Sequence, residues 1–393
     1  MSSFIREHCF YRTHLLRYET IMAAQEKLKK IREELKQTFL ERSELIDGAL
    51  SALLSSQHLL IIGPPGTAKS MLADQICRRI LGANYFQWLL TRFSTPEEIF
   101  GAVSLKALEQ DDYRRVTAHK LPEAHIAFLD EIFKANSSIL NAILAIINER
   151  LFHNGKEIAS VPLLALFGAS NELPEDDELM ALYDRFLLRF VVKYIEEDFR
   201  FLRMLEAPAE TERTTITLDE LRAMQAETRH VSIPGPIYRS IADIRRELKK
   251  KNIDASDRRY RQSLSLLQAH AYLAGESEVT ENDLFFLEHV LWRDPGERNQ
   301  LRETIRELIL GYEEEVKELL YESREIRDSA LRPWETSDER ARALIEFHTK
   351  LRNILAKVEQ IMEKAKKLGR SVERVEAIKE EIEGMQKQML EKF

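Results

Sequence analysis

The chain has 393 residues, a length that predicts two or three domains able to bury their cores without disulfides or structural metals. Hydrophobic residues make up 44% of it and charged residues 32%, which excludes a disordered chain and a membrane-embedded one. Because Asp and Glu (66) outnumber Lys and Arg (58), the net charge is -8. That balance disfavours a protein that coats nucleic acid through its overall field, although it leaves room for a local basic channel.

The cysteines and the N-terminal residues indicate the compartment. Cys9 and Cys77 are too few for a disulfide framework, and they suit a reducing environment. No apolar stretch approaches the ~20 residues of a membrane-spanning helix, and charged residues interrupt any signal-peptide core. We therefore expect a cytoplasmic protein without a membrane span. We interpret residues 1–24 as an extension of unknown structure, or, before Met22, as sequence upstream of the natural start.

Strands alternate with helices between residues 25 and 205. In chain order the pattern predicts a helix over 25–54, a strand over 59–62, a helix over 71–81, an apolar stretch over 85–93, a strand over 126–130, a helix over 137–149 and a strand over 161–169. This alternation is typical of a parallel sheet with helices on both faces, an α/β domain. Two predicted hairpins interrupt it, one over 100–122 and one over 151–158 with its turn at Asn154-Gly155.

A helical domain is predicted over residues 206–296. Two capping boxes begin helices there, because Thr217 precedes Glu220 by three residues and Thr280 precedes Asp283 by three. The patterns between and after these boxes have helical spacing.

The last 97 residues, 297–393, have a different character. Of these residues 42 are charged, 22 acidic and 20 basic, and apolar residues recur at spacings of three and four. We predict an antiparallel helical coiled coil of two or three helices, with a break at Pro333-Trp334, a helix cap at Thr336 and a helix end at Gly369.

A segment after the first strand is typical of a phosphate-binding loop. It reads GPPGTAKS, and its backbone N–H groups and the following helix N-terminus would face phosphate oxygens. Lys69 would pair with the terminal phosphates, and the Ser70 hydroxyl would bind Mg²⁺. The predicted nucleotide-binding residues are Gly63, Pro64, Pro65, Gly66, Thr67, Ala68, Lys69, Ser70 and Met71. Ala68 stands where glycine is usual, a change that costs little if φ is negative there.

Polar residues follow the next two strands of the predicted sheet. Asp130 ends the strand over 126–130, at the edge where open α/β sheets bind ligands, and would hold Mg²⁺. Glu131 would polarise the attacking water as general base. Asn171 follows the strand over 161–169 and could orient that water, although Ser-Asn after a strand is more often a simple turn.

Three arginines are further candidates. By spacing alone, Arg185 and Arg189 are better explained as surface arginines paired with Asp184 or Glu178. Arg258 stands at a helix start, where a cation opposes the helix dipole, so an anionic partner is one interpretation and a solvated basic helix end is the other.

These segments together resemble the MoxR family of AAA+ ATPases, and within it the RavA-type subfamily. The similar stretches include GPPGTAKS, TRFSTPEEIFG, LPEAHIAFLDEIFKANSSILNAILAIINERLFHNG and GASNELPEDDELMALYDRFLLRF, followed by SDRRYRQSLSLLQAHAYLAG and VTENDLFFLEHVLW. They lie within residues 26–293, about two thirds of the chain. Alanine before the loop lysine is itself found in this family.

The resemblance implies an AAA+ P-loop fold with a helical lid domain, and a homo-hexameric ring that hydrolyses ATP between subunits. It implies Asn171 as first sensor, Arg185 as the arginine finger supplied to the neighbouring subunit with Arg189 as the alternative, and Arg258 as second sensor on the lid. It also implies chaperone-like remodelling of a protein client, with a von Willebrand factor A-domain partner.

Two other functions are weighed against this one. A nucleic-acid motor or a metal-chelatase-like subunit is disfavoured by the net charge of -8 and by the lack of an aromatic and basic binding signature. A scaffold assembled by ATP is disfavoured because every expected catalytic position carries a competent residue. The tail over 297–393 has no room for the β-rich docking module of RavA-type proteins, so that subfamily's client is not transferred to this chain.

Overall fold

The computed structural model describes residues 22–174, 176–196, 198–206, 213–309, 311–331, 337–367 and 372–391. Its contacts divide the chain into two compact units. The first holds the residues up to Ile241 and Lys249–Arg298, and the second holds Ala242–Leu248 and the residues from Asn299 onward. The domain boundaries expected from the sequence stay predictions.

Helices and strands alternate through the first unit, and helices make up the second. The helices are α1 (22–38), α2 (Ser43–Ser55), α3 (Lys69–Cys77), α4 (Pro96–Phe100), α5 (Leu105–Leu108), α6 (Ser137–Glu149), α7 (Asp177–Arg185), α8 (Asp198–Glu206), α9 (Leu218–Thr228), α10 (Gly235–Lys250), α11 (Asp257–Ala274), α12 (Arg298–Ile309), α13 (Gly311–Ala330), α14 (Ser337–Lys367) and α15 (Glu373–Glu391). The strands are β1 (Leu59–Ile62), β2 (Ile80–Leu81), β3 (Tyr85–Leu89), β4 (Ile126–Asp130), β5 (Leu151–Asn154), β6 (Glu157–Ser160), β7 (Ala165–Ser170), β8 (Leu188–Val191) and β9 (Ile216–Thr217). Short 3₁₀ helices lie at Leu121–Glu123, Ile132–Lys134, Glu281–His289 and Pro295–Glu297.

A five-stranded sheet lies at the centre of the first unit. Its strand order is β3-β4-β7-β1-β8, and every neighbouring pair is parallel. The inner strands are continuous apolar runs, buried from Leu59 to Ile62 and from Ile126 to Leu129, as expected for strands covered on both faces. The carboxyl ends of β1, β4 and β7 therefore meet at one edge of the sheet, which confirms the predicted α/β class.

Some predicted boundaries are wrong. The helix predicted over 71–81 starts at Lys69 and ends at Cys77, because Ile80–Leu81 pairs with Ile216–Thr217 in a second small sheet. The strand predicted over 161–169 begins at Ala165, after Pro162, which has no N–H for a strand ladder. The helix predicted over 25–54 is divided between α1 and α2, and Glu41 has φ 57 in the break.

The two predicted hairpins differ in outcome. In the segment over 100–122 the predicted hairpin is reduced to one antiparallel bridge, Val103 to Arg115, because residues 105–108 form a helical turn, α5, instead of a strand. The second hairpin is confirmed as β5 and β6, but its turn residues are Gly155-Lys156. Asn154 instead accepts a hydrogen bond from the Arg115 backbone N–H at 2.7 Å and donates to the Arg115 carbonyl at 3.1 Å. These bonds tie the two insertions together.

The helical predictions are confirmed in type. Both capping boxes are present, at Thr217 with Glu220 and at Thr280 with Asp283. In the second unit, α13, α14 and α15 pack against one another around a shared apolar core. That core includes Val316, Leu319, Leu320, Phe347, Leu351, Ile354, Val358, Ile361, Val375, Ile382, Met385 and Met389. Pro333-Trp334, Thr336 and Gly369 lie outside the described residues. Across the described ranges, no helix is long and apolar enough to cross a membrane.

Candidate functional site

The loop between β1 and α3 has the backbone geometry of a phosphate cradle. Gly66 has φ +79, and a Cβ added to it would have no neighbouring atom within 4 Å, so the loop is open on that side. At Gly63 a Cβ would lie 2.4 Å from the Val192 carbonyl oxygen, so that position requires glycine. The Thr67 hydroxyl donates to the Pro64 carbonyl at 2.9 Å, a hydrogen bond within the loop that stabilises its turn.

Ala68 is strained. It has φ 60 and ψ 27, the left-handed conformation, at the position just before α3. The condition under which alanine would cost little, a negative φ, is therefore not met. A Cβ in this region costs about 1 kcal/mol, which the rest of the loop has to offset.

Lys69 lies inside the loop. Its Nζ donates to the Gly63 carbonyl at 2.6 Å and to the Pro64 carbonyl at 2.9 Å, and the residue is 9% exposed. Burial lowers the pKa of the Lys69 ammonium, and the nearby charges of Asp130 and Glu131 act in the opposite direction. The fold thus brings these three predicted residues into one electrostatic neighbourhood.

The acidic pair follows β4 directly. The Asp130 Oδ1 accepts a hydrogen bond from the Glu131 N–H at 3.0 Å, and Glu131 has φ 52 at the start of a 3₁₀ helix. The Glu131 Oε2 lies 3.2 Å from the Lys134 Nζ. Lys134 was not predicted, although the spacing of three residues on one short helix could have indicated the pair.

Asn171 lies at the same edge of the sheet. It follows β7, whose Ser170 carbonyl accepts a hydrogen bond from the Gly63 N–H at 3.0 Å, and it is exposed. A cleft of about 990 Å³ opens beside this edge, and Glu131 and Ser170 are among the residues that line it. Arg92, which had no predicted role, also lines the cleft.

The predicted arginines belong to a second cluster. Arg185 ends α7, with its Nη1 3.7 Å from the Asp184 carboxylate. Arg258 is exposed on the first turn of α11, and burial of its stem, followed by the charge of Arg185, lowers its pKa while Asp184 raises it. Arg258 and Arg185 therefore lie near each other and near one acid.

Arg189 lies inside the first unit. It is 1% exposed, its guanidinium stacks 3.8 Å from the Tyr183 ring centroid, and it donates to the carbonyls of Tyr183 and Trp292. These contacts hold the side chain within its own chain. Of the two residues proposed to reach a neighbouring subunit, only Arg185 has a partly exposed side chain.

The residues of the loop fit a magnesium nucleotide. The first N–H groups of α3 have no intrahelical partner and point out of the helix N-terminus, where they can donate to phosphate oxygens. Ser70 and Asp130 supply hydroxyl and carboxylate oxygens, the donor type that Mg²⁺ prefers.

Comparison with known families agrees with this geometry. Residues 26–230, more than half of the chain, match the family described as the MoxR domain in the MoxR-vWA-beta-propeller ternary systems. The chain belongs to the MoxR family of AAA+ ATPases. Residues 236–305 match an AAA lid domain, which follows the MoxR domain directly along the chain.

Relatives and a solved structure extend the comparison. This MoxR chain is 40% identical over 370 residues to an uncharacterised protein of Methanocaldococcus jannaschii, covering 92% of this chain and 98% of that one. A second uncharacterised protein of the same archaeon is 47% identical over 292 residues, 74% of this chain and 76% of the relative. The chaperone MoxR1 of Mycobacterium tuberculosis is 28% identical over 200 residues, 49% of this chain and 52% of MoxR1.

The fold has a counterpart in a crystal structure from Cytophaga hutchinsonii, of a protein provisionally described as an ATPase. The TM-score is 0.59 at 14% identity, covering 74% of this chain and 96% of the other. This likeness is one of fold.

Proposed function

We propose that this MoxR protein hydrolyses ATP to ADP and phosphate in a homo-hexameric ring and uses the cycle to remodel a protein client. The observation that carries the proposal is the meeting of Lys69, Asp130 and Glu131 at the carboxyl edge of the sheet. The arginine that would complete the site lies in a separate cluster, beside Asp184.

The residues at the carboxyl edge of the sheet, here called the first cluster, each have a defined task in this proposal. Lys69 would leave the loop carbonyls that it now contacts and donate to the terminal phosphates, and Glu131 would accept the proton of the attacking water. Ser70 and Asp130 would hold Mg²⁺, which supplies charge stabilisation to the phosphates when bound. Asn171 would orient the water from the neighbouring strand end.

We propose that Arg185 and Arg258 serve the nucleotide of the adjacent subunit together. The charges of Arg185 and Asp184 act on the pKa of Arg258, whereas those of Asp130 and Glu131 act on the pKa of Lys69. Arg185, Arg189 and Arg259 all lie within 3.8 Å of the Asp184 carboxylate, so the cluster carries excess positive charge, which a polyphosphate from a neighbour would neutralise. A role for Arg258 on the neighbour's nucleotide suits its electrostatic coupling to Arg185 better than the role on its own subunit that the resemblance implies.

The partner and the setting are also proposals. The name of the matched family includes a vWA component, which supports a von Willebrand factor A-domain partner, and the relationship to a chaperone supports a protein client. The RavA-type assignment and the cytoplasmic location stay predictions.

The decisive test is phosphate release from mixed rings. Lys69→Ala subunits keep Arg185 but lack the phosphate ligand, and Arg185→Ala subunits keep the loop but lack the finger. Each variant alone should be inactive, and rings assembled from both should regain turnover, because the two defects lie on opposite sides of a shared site. Wild-type turnover near zero would favour a scaffold, and verified mixed rings without activity would refute the trans site. Pulldown with Glu131→Gln and ATP should then capture the client or vWA partner.

A further inference from the structure

Arg259 is a buried arginine with no role in the proposed chemistry. It follows the exposed Arg258 on α11, yet it is 2% exposed. Its guanidinium donates to the Asp184 carbonyl at 3.2 Å, to the Phe186 carbonyl at 3.1 Å and to the Leu187 carbonyl at 2.6 Å. All three carbonyls belong to residues 183–187, the turn that carries Arg185, which is called the finger turn below.

The same guanidinium also contacts the lid. Arg259 Nε and Nη2 donate to the Val290 carbonyl at 2.9 and 2.6 Å. One side chain therefore joins α11, the finger turn and residues 290–292, here called the lid segment. Burial, with the neighbouring charge of Arg189 adding to it, lowers the pKa of Arg259 to about 9, so it is still a cation at neutral pH.

Arg189 makes a parallel connection. From β8 it donates to the Tyr183 carbonyl in the finger turn and to the Trp292 carbonyl in the lid segment. The Tyr183 hydroxyl adds a bond to the Arg293 carbonyl at 2.6 Å. Both ends of the finger turn are thus bonded to the lid segment through buried groups.

The chemistry of these contacts indicates a positional role. Burying two cations costs free energy, and the carboxylate of Asp184 lies 3.5 and 3.8 Å from them, longer than a direct hydrogen bond. The short contacts of both arginines are all with backbone carbonyls. They therefore fix the position of the backbone, whatever side chains it carries. Only the planar fork of arginine reaches several carbonyls at fixed angles.

We propose that Arg259 and Arg189 form a clamp that positions Arg185 by tying the finger turn to the lid segment, so that Arg185 and Arg258 are presented to the neighbouring subunit as one rigid group. The inference rests on the proposed trans role of Arg185. It makes Arg259 and Arg189 positioning residues, because neither has an exposed group that could touch nucleotide. When the lid segment moves, the finger turn and Arg185 then move with it.

Arg259→Lys tests the clamp. Lysine keeps the cation but cannot bond the finger turn and Val290 with one planar group, so Arg185 should be misplaced by a small distance. We expect kcat for ATP to fall about 10- to 100-fold while KM changes less than about threefold, as misalignment by about 1 Å produces. Mixing with Lys69→Ala subunits should restore turnover, because those subunits supply a correctly placed Arg185 to the intact loop of the variant.

The mixtures separate failure of the clamp from failure of the proposed function. If Arg185→Ala with Lys69→Ala regains turnover and Arg259→Lys with Lys69→Ala does not, the clamp is refuted and the trans site stands. If neither mixture regains turnover, the trans site fails and the clamp fails with it. Adding Arg259→Lys to Arg185→Ala should cause no further loss, and an additive loss would also contradict a role exerted through Arg185.

A matched control addresses stability. Arg150, just after α6, is another arginine that donates to backbone carbonyls, to Ile147 and, at 3.0 Å, to Ser56, and neither carbonyl belongs to the finger turn or the lid segment. Arg150→Lys should lower the melting temperature yet keep turnover per folded subunit within about twofold. If Arg259→Lys shows no cooperative melt, Arg189→Lys takes its place in the same mixtures, with the same outcomes supporting or refuting the clamp.

Discussion

The phosphate loop and the arginine cluster are built in opposite ways. The loop obtains its shape from consecutive residues, with Gly66 and Ala68 at positive φ and Lys69 bonded to the carbonyls of Gly63 and Pro64. The arginine cluster obtains its shape from residues far apart in the chain, since Arg259 is 72 positions from Leu187. The first is a local backbone structure, and the second is a buried support for two more exposed arginines, Arg185 and Arg258.

Because of this difference, mutations in the loop should mainly reduce nucleotide binding, whereas mutations in the arginine cluster should mainly reduce stability. Lys69 makes bonds that a bound phosphate can replace, so losing it should affect binding more than folding. Arg189 and Arg259 donate to backbone carbonyls in the interior, so losing them should leave buried carbonyls short of a donor. Four variants test the contrast, from the largest expected effect to the smallest.

Lys69→Ala should remove activity without unfolding the protein. The loss of charged hydrogen bonds to phosphate should weaken nucleotide binding by about 100-fold, and turnover should fall below detection. The free energy of unfolding should fall by about 1 kcal/mol, because the hydrogen bonds from Lys69 to the Gly63 and Pro64 carbonyls are lost too. Fluorescent nucleotide titration and urea denaturation measure the two effects, and a variant that unfolds would contradict the separation.

Glu131→Gln should bind ATP and hydrolyse it slowly. The amide has the shape of the carboxylate but cannot accept the proton of the attacking water, so kcat should fall about 100- to 10,000-fold with binding retained. Glu178→Gln is the matched control, since Glu178 lines the same cleft, and its turnover should stay within about twofold of wild type. Equal phosphate release by Glu131→Gln and wild type would remove Glu131 as the base.

Arg189→Met should destabilise the first unit. The change removes the cation that stacks on Tyr183 and leaves the Trp292 carbonyl without its donor, which should cost about 3 kcal/mol. Arg185→Met changes an arginine next to the same acid but with a partly exposed side chain, and it should cost less than about 1 kcal/mol. Denaturation curves of the two variants should differ clearly, and coinciding curves would mean that Arg189 does not support the fold.

Ala68→Gly should stabilise the loop slightly. Glycine adopts φ 60 without the Cβ clash, although it gains freedom in the unfolded chain, so the net gain should be about 0.5 to 1 kcal/mol. Ala68→Val, with a larger side chain in the same backbone conformation, should lose stability. If glycine gives no gain and valine no loss by urea denaturation, the position is not strained.

Much of the first cluster could be predicted from the sequence. The apolar run before Gly63, the loop pattern and the acids after Leu129 are short-range signals, and parallel strands carry their C-terminal residues to one edge. Two features were not predicted: the ion pair of Lys134 with Glu131, and the positive φ of Ala68. The φ of Ala68 could not be predicted, because neither the residue type nor the spacing of the motif determines a backbone angle at that position.

The support of the arginine cluster was not predictable. Arg258 and Arg259 are adjacent and chemically identical, yet one is exposed and the other buried. Arg189 resembled a surface arginine by its spacing from Asp184. The partners of both buried residues are backbone carbonyls, which every residue has, so no pattern in the sequence marks them.

The sequence alone determined the phosphate-binding loop and the acids that follow β4, because these motifs consist of neighbouring residues whose local geometry follows from their own dihedral and hydrogen-bonding preferences. Only the tertiary structure decided which arginine is held inside and which is presented outward. Arg189 and Arg259 are held inside because backbone carbonyls from distant parts of the chain surround them. Those carbonyls come together only once the chain has folded.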